Sequence, residues 1–156
     1  MEKSYDLSHL SQMYYTEKER YEKRGLNSPL VSLKYLEKIF SLYPQNICLY
    51  VIYDNERNIL SLELTHEYNN KFLMLMGSIK TEDNIGVNQF SNWELIKIAK
   101  EGNYKYVDFV GANKKNLCDF KSQFNPSLGF NYSIKKQNLM GNLAEFLYSQ
   151  FIKKKI

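Results

Sequence analysis

Between Ile47 and Met76 the chain sets three apolar runs against two short polar connections, and few folds accommodate that spacing. Ile47 to Tyr53 is almost continuously apolar, as in a strand buried on both faces. Asp54-Asn55-Glu56-Arg57-Asn58 is a polar turn. Leu60, Leu62 and Leu64 then alternate with Ser61, Glu63 and Thr65. That period of two predicts a strand with one face in the core and one in a cleft or solvent. His66 to Lys71 forms a second turn, and Phe72 to Met76 a third strand. Connections this short join neighbouring strands only as hairpins, so the segment reads as an antiparallel meander.

The flanking segments read as helices. Leu7, Leu10, Tyr14 and Tyr21 recur at roughly helical spacing, and Gly25 with Asn27-Ser28-Pro29 stops that helix. Ser32 caps a second helix with Tyr35, Leu36, Ile39, Phe40 and Tyr43 on one side, ended at Pro44. After a polar loop from Gly77 to Val87, Asn88 or Ser91 opens a helix with Trp93, Ile96 and Ala99 on one side. Gly102 closes it. Tyr106 to Val110 is a strand, and the compact helical crossover makes it parallel to its predecessor. A short helix spans Asn116 to Phe124, and a last strand Phe130 to Ile134. A C-terminal amphipathic helix carries Leu139, Leu143, Phe146, Leu147 and Phe151. The expected order is ααβββαβαβα, an α/β fold with a mixed sheet, in one domain over residues 1–156.

Composition narrows the class. A chain of 156 residues buries one core. No apolar run approaches the ~20 residues needed to span a bilayer. MEKSYDLSHL is too polar for a signal peptide, so the expectation is a cytoplasmic protein. The net charge of +4 owes part of its value to Lys153-Lys154-Lys155 and does not by itself imply nucleic acid. Cys48 and Cys118 sit among apolar neighbours and read as buried free thiols rather than a disulfide or metal ligands. His66 and His9 are too far apart in sequence to suggest a metal site, so none is expected.

Several motifs occur in an order that resembles a known family. They are Asn92-Trp-Glu-Leu-Ile-Lys-Ile-Ala-Lys-Glu-Gly102, Tyr106-Val-Asp-Phe-Val-Gly111 and Phe120-Lys-Ser-Gln-Phe124. The element order resembles the GNAT acyltransferase domain, and these motifs resemble the C-terminal half of its FemAB/FemX-like branch. That branch has a strand "D-F/L-G-G" followed by a helix "F-K-x-x-F-G". One glycine of the pair is missing, with Val110-Gly111 standing there, and Asn125 stands where the second motif ends in glycine. Members of the branch carry two such halves, and this chain has room for one.

The resemblance implies transfer of an acyl or aminoacyl group to an amine acceptor, such as a cell-envelope precursor. The donor would be acyl-CoA, acyl carrier protein or aminoacyl-tRNA. Acyl-CoA would be a co-substrate rather than a permanently bound cofactor. Such chemistry needs a base to take the amine proton and a preorganised donor for the oxyanion. Lys121, Asp108 and Glu63 are the catalytic candidates. Lys121 matches the family's Phe-Lys lysine, Asp108 is a carboxylate in an apolar strand, and Glu63 is on the polar face of the second meander strand. Asn88 and Gln89, opening the central helix, and Gly111, after the strand, are the candidates for donor binding. The pyrophosphate signature Q/R-x-x-G-x-G/A is not present at Asn84-Ile85-Gly86-Val87-Asn88-Gln89. Each residue also has a plain structural explanation: a solvated lysine, a paired carboxylate, a solvated strand face, a turn glycine. Tyr104, Tyr106 and Tyr132 are further candidates for protonating a leaving group, and Trp93 reads as a core anchor. Two other readings stand beside the enzyme. One is a non-catalytic binding module, half of a two-domain enzyme. The other is a homodimer or partner-domain pairing, with Leu143, Phe146, Leu147 and Phe151 at the seam.

Overall fold

The computed structural model describes residues 1–25, 31–79, 86–111, 114–130, 132, 136 and 138–151. In chain order the elements are β1 (Glu2–Ser4), α1 (Leu7–Lys23), α2 (Leu33–Leu42), β2 (Ile47–Tyr53), β3 (Ile59–Tyr68) and β4 (Lys71–Ile79). Then come α3 (Val87–Glu101), β5 (Tyr106–Asp108), α4 (Lys115–Ser122) and α5 (Leu139–Phe151). The five strands form one mixed sheet in the order β1-β2-β3-β4-β5. The first four are antiparallel, and β5 runs parallel to β4.

The expected α/β architecture and meander are present, with local differences. β1 is an additional strand: Glu2-Lys3-Ser4 has no apolar pattern and gains its geometry from pairing with Leu49–Val51. The second turn is only Asn69-Asn70, both at positive φ, so His66 lies inside β3 and stacks on Tyr68. The closing strand expected at Phe130 to Ile134 falls mostly outside the described residues. Trp93 is 54% exposed, because α3 buries the stripe Ser91-Leu95-Ala99 instead. Cys48 is buried, whereas Cys118 is only half-buried.

Two cores sandwich the sheet. Asp6 caps α1 by accepting from Ser8 N at 2.7 Å, and Ser32 caps α2 by accepting from Tyr35 N at 3.3 Å. These helices bring Leu10, Met13, Leu36 and Phe40 against Leu49, Val51, Leu62 and Leu64. On the other face, Leu95 and Ala99 of α3 meet Cys48, Tyr50 and Phe72. β2 therefore alternates between two cores, which explains its unbroken apolar sequence. Each fully buried large side chain contributes roughly 1.5–3 kcal/mol of transfer free energy.

The α3-facing side of β3 is polar yet buried: Ser61, Glu63, Thr65 and Glu67 are each at most 7% exposed. The sequence pattern pointed to a cleft or solvent there. The strand is covered instead, because hydroxyls satisfy its carboxylates. Glu67 Oε1 accepts from Tyr50 and from Thr65, both at 2.8 Å, and Oε2 accepts from Tyr104 at 2.9 Å. This knot ties β2, β3 and the approach to β5 together at one end of the sheet. Burial there, with the Glu67 hydrogen bond, pushes the Tyr104 phenol up to about 12.

Candidate functional site

β5 pairs with β4 along its whole length and ends at Asp108, while β4 runs on. Their pairing covers only Lys71↔Tyr106, Phe72↔Val107 and Leu73↔Asp108. β4 continues to Ile79, and among the described residues no strand pairs with its outer edge beyond Leu73. The opening beyond Leu73 therefore has the peptide groups of β4 along one side, without a strand partner among the described residues. A β-bulge at Leu75 shifts the register, so Thr65 faces Met74 while Leu64 faces Met76.

Glu63 stands on the β4 side of this opening, opposite Gly77 in the ladder. Its Oε1 accepts from Ser61 Oγ and Ser91 Oγ, both at 2.6 Å. Only 7% of the residue is exposed, and burial holds the carboxyl above the ordinary carboxylate range, the two serine hydroxyls opposing that shift. Gly77 makes the arrangement possible: a Cβ there would lie 2.2 Å from Glu63 Oε2. Ser91 and Gly77 are positions of this candidate site that sequence reasoning missed. A signal for Ser91 was available, since it shares the i, i+4, i+8 stripe of α3 with Leu95 and Ala99.

Asn88 and Gln89 are the second and third residues of α3, one turn before Ser91. Gly86 is the helix's N-cap, at φ +93°, and among the described residues no side chain caps the first turn. The backbone N–H groups at this end have no intrahelical partner and point out along the axis, favouring an anion. The Asn88 side chain is engaged by Asn92 at 3.0 Å, and Gln89 is exposed. Binding at this end would therefore fall to the amides.

On the β5 side, Asp108, Gly111 and Lys121 line one open cavity of about 730 Å³ with Lys71, Tyr106 and Phe130. Their geometry is that of a clamp. Lys121 Nζ donates to the carbonyls of Phe109 at 2.9 Å and of Val110 and Gly111 at 2.5 Å. Partial burial lowers the pKa of its ammonium. Asp108 Oδ1 accepts from Val110 N at 2.8 Å, closing a tight turn. Val110 and Gly111 are both left-handed, at φ +44° and +73°. Asp108 and Lys121 thus shape the end of β5, and neither aims a free charge into the opening. Of the tyrosines, Tyr104 is committed to Glu67, while Tyr106 and Tyr132 are exposed.

The candidates therefore fall into two groups. Glu63 lies on the β4–α3 side, one helical turn from Asn88 and Gln89. Asp108, Gly111 and Lys121 stand together on the β5–α4 side. Among the described residues no group of histidine, cysteine and carboxylate side chains is placed to hold a metal, and no helix is long and apolar enough to cross a membrane.

No protein-family model and no curated protein matches the chain. Solved structures do. A predicted acetyltransferase of Clostridium acetobutylicum, solved with acetyl-CoA, aligns at TM-score 0.62 and 14% identity, over 89% of this chain and 95% of its own. An aminoglycoside acetyltransferase from an uncultured soil metagenomic sample, in complex with sisomicin, aligns at 0.58 and 19%, over 83% and 91%. An acetyltransferase of Trypanosoma brucei aligns at 0.54 and 13%, over 88% and 96%. At such identities the likeness is one of fold: this chain has the mixed α/β fold of GNAT-type acetyltransferases.

Proposed function

We propose that the protein is an N-acyltransferase that moves an acyl group from acyl-CoA to an amine, with Glu63 as the general base. The observation that carries this reading is the β4 edge left without a strand partner beyond β5, among the described residues, beside a buried carboxylate. The free β4 edge offers peptide groups to an extended thioester arm and to the oxyanion of a tetrahedral intermediate. The first-turn amides of Val87, Asn88 and Gln89, behind a glycine N-cap, offer a place for the donor's phosphates. These amides put acyl-CoA ahead of aminoacyl-tRNA and acyl carrier protein, the donors that the Fem-like motifs would imply.

In the reaction the amine nitrogen attacks the thioester carbonyl carbon, and the carbon–sulfur bond breaks on collapse of the intermediate. The amine proton passes to Glu63, directly or through one water, and the sulfur leaves as thiolate to be protonated as the CoA thiol. A carboxyl with a raised pKa is better matched to this task than an ordinary one. Lys121 and Asp108 hold the β5 wall in shape rather than carry protons. The clustering of Asp108, Gly111 and Lys121 on one cavity favours an enzyme over a non-catalytic half-domain.

The test is calorimetric titration with acetyl-CoA, followed by acetyl transfer to a panel of amines that includes aminoglycosides such as sisomicin. Saturable binding with turnover is expected. Glu63→Gln should lower kcat about 100-fold while leaving acetyl-CoA affinity within a factor of about three. No binding of acetyl-CoA at millimolar concentration would overturn the donor. Unchanged kcat in Glu63→Gln would overturn the base.

A further inference from the structure

We infer that Ser91 is the positioning residue for Glu63: it holds one oxygen of the carboxylate so that the other, Oε2, is turned to the outer edge of β4 to take the amine proton. The inference rests on Glu63 as the base. Its two oxygens are in different situations. Ser61 Oγ and Ser91 Oγ both donate to Oε1, each at 2.6 Å, the length of a hydroxyl bound to an ionised carboxylate. Two such bonds occupy both lone-pair sites of Oε1. No described residue donates to Oε2. Oε2 lies instead over Gly77, where a Cβ would be 2.2 Å from it and 2.9 Å from Oε1. It is therefore the oxygen nearer Gly77 of β4, the strand whose outer edge has no strand partner beyond Leu73 among the described residues. A carboxylate rooted on an inner strand thus reaches across its neighbour towards that edge, through the volume that a side chain at position 77 would fill.

Ser91 supplies the direction that Glu63's own strand cannot. Ser61 is two residues back on the same face of β3, so its bond runs along the strand. Ser91 arrives from α3, and its bond crosses from helix to sheet. Bonds in two directions fix the plane of the carboxylate, where one would leave it to rotate. Ser91 is fully buried, on the stripe it shares with Leu95 and Ala99. A buried hydroxyl there is costly unless it is bonded, and Glu63 is its partner. The same helix carries the first-turn amides offered to the donor's phosphates, so donor and base are set on one rigid element. Among the described residues, the charged groups within reach of Glu63 are Glu17 and Arg20 of α1, which act on it in opposite senses.

Loss of the Ser91 hydroxyl has two separable effects. The ionised form loses a donor, so Glu63 titrates at higher pH. The carboxylate also loses its orientation, which full ionisation does not restore. The experiment follows the Glu63 carboxyl carbon by isotope-edited NMR from about pH 4 to 9, assigned with Glu63→Gln, in wild type, Ser91→Ala and Ser91→Thr, and measures kcat for acetyl transfer over the same range. Ser91→Ala should raise the Glu63 titration by about one pH unit. Its kcat should stay at least about 10-fold below wild type even on the alkaline plateau, with KM for acetyl-CoA within about threefold. Ser91→Thr, which keeps the hydroxyl, should restore both towards wild type. Should Ser91→Ala fail to fold by circular dichroism, Ser91→Cys replaces it, with a far weaker donor and the same expected directions. An unmoved Glu63 titration overturns the inference, since the bond then does not hold the carboxylate. A plateau equal to wild type overturns it as well, since the serine then tunes the carboxyl without aiming it. If the wild type transfers no acyl group, the acyltransferase reading fails and the role of Oε2 fails with it, while the titration still reports whether Ser91 holds the carboxylate.

Discussion

Replacing Gly77 with alanine should cost far more than a glycine-to-alanine change in a strand normally does, and Glu63 is the reason. In a strand interior, alanine is ordinarily better than glycine by roughly 0.5–1 kcal/mol. Here the new Cβ would stand 2.2 Å from Glu63 Oε2, 2.8 Å from its Cδ and 2.9 Å from Oε1. A carboxylate at the end of a free side chain would swing aside at little cost. This one is 7% exposed and is held by two serine hydroxyls at 2.6 Å. Moving it by more than an ångström breaks both hydrogen bonds, each contributing roughly 1.5–2 kcal/mol to a charged acceptor. Setting that against the strand gain leaves a net loss of about 2–3 kcal/mol, or about 5–10 °C in a chain of this size. The assay is urea unfolding of four proteins: wild type, Gly77→Ala, Glu63→Ala and the double variant. With Glu63 truncated, Gly77→Ala should be neutral or stabilising, giving a coupling of about 2–3 kcal/mol. Equal costs in the two backgrounds would refute the reasoning, because the clash would then not be with Glu63.

Val110→Gly should stabilise the protein by roughly 0.5–1 kcal/mol, since a β-branched residue at φ +44° gives up more than glycine's extra chain entropy takes back; a lower unfolding midpoint would count against the left-handed turn. Lys121→Ala should lower stability by about 1–2 kcal/mol by stripping three carbonyls of their donor, while kcat measured below the melting range changes by less than about threefold; a large loss of kcat at full stability would restore Lys121 as a catalytic residue. Glu63→Gln should flatten the pH dependence of stability. The wild-type carboxyl has its folded pKa raised, so its contribution is complete below the unfolded value and is lost as pH rises through the folded one. Denaturation midpoints from pH 4 to 8 should therefore converge at the acid end and favour Glu63→Gln at the neutral end. The opposite crossing would mean that the serine hydroxyls outweigh burial.

The scaffold was legible because its signals are local. The apolar runs of β2, β3 and β4, the cap Ser32 and the α3 crossover each declare themselves within a few residues. β1 does not, since a polar tripeptide becomes a strand only when Leu49–Val51 lies beside it. The site was half legible. The alternation of β3 identified Glu63 as a polar position but not its depth, because burial depends on α3 closing over it and on Ser91 arriving there. The Phe-Lys motif drew attention to Lys121, but its contacts follow from where three carbonyls point, which composition does not encode. Trp93 misled for a related reason: α3 offers two adjacent apolar stripes, and the sheet selects the one that brings Ser91 inward.

The single extra residue in β4 decides what Glu63 meets. Were Leu75 paired with Leu64 instead of bulged, the register set by Thr65 and Met74 would run on unchanged, and Met76 rather than Gly77 would stand across from the carboxylate. A methionine there would fill the space the carboxylate now occupies, and the glycine would face Leu62 to no purpose. Deleting Leu75 would therefore remove the bulge and leave Gly77 across from Glu63, whereas drawing Leu75 into the ladder would exchange the contents of the two sheet faces from that point onward. The second change would send a thioether into the polar pocket and leave a gap in the α1–α2 core. A one-residue insertion thus acts as a switch of sidedness midway along the strand, allowing a continuous ribbon to serve hydrocarbon packing at one end and an ionisable pocket at the other.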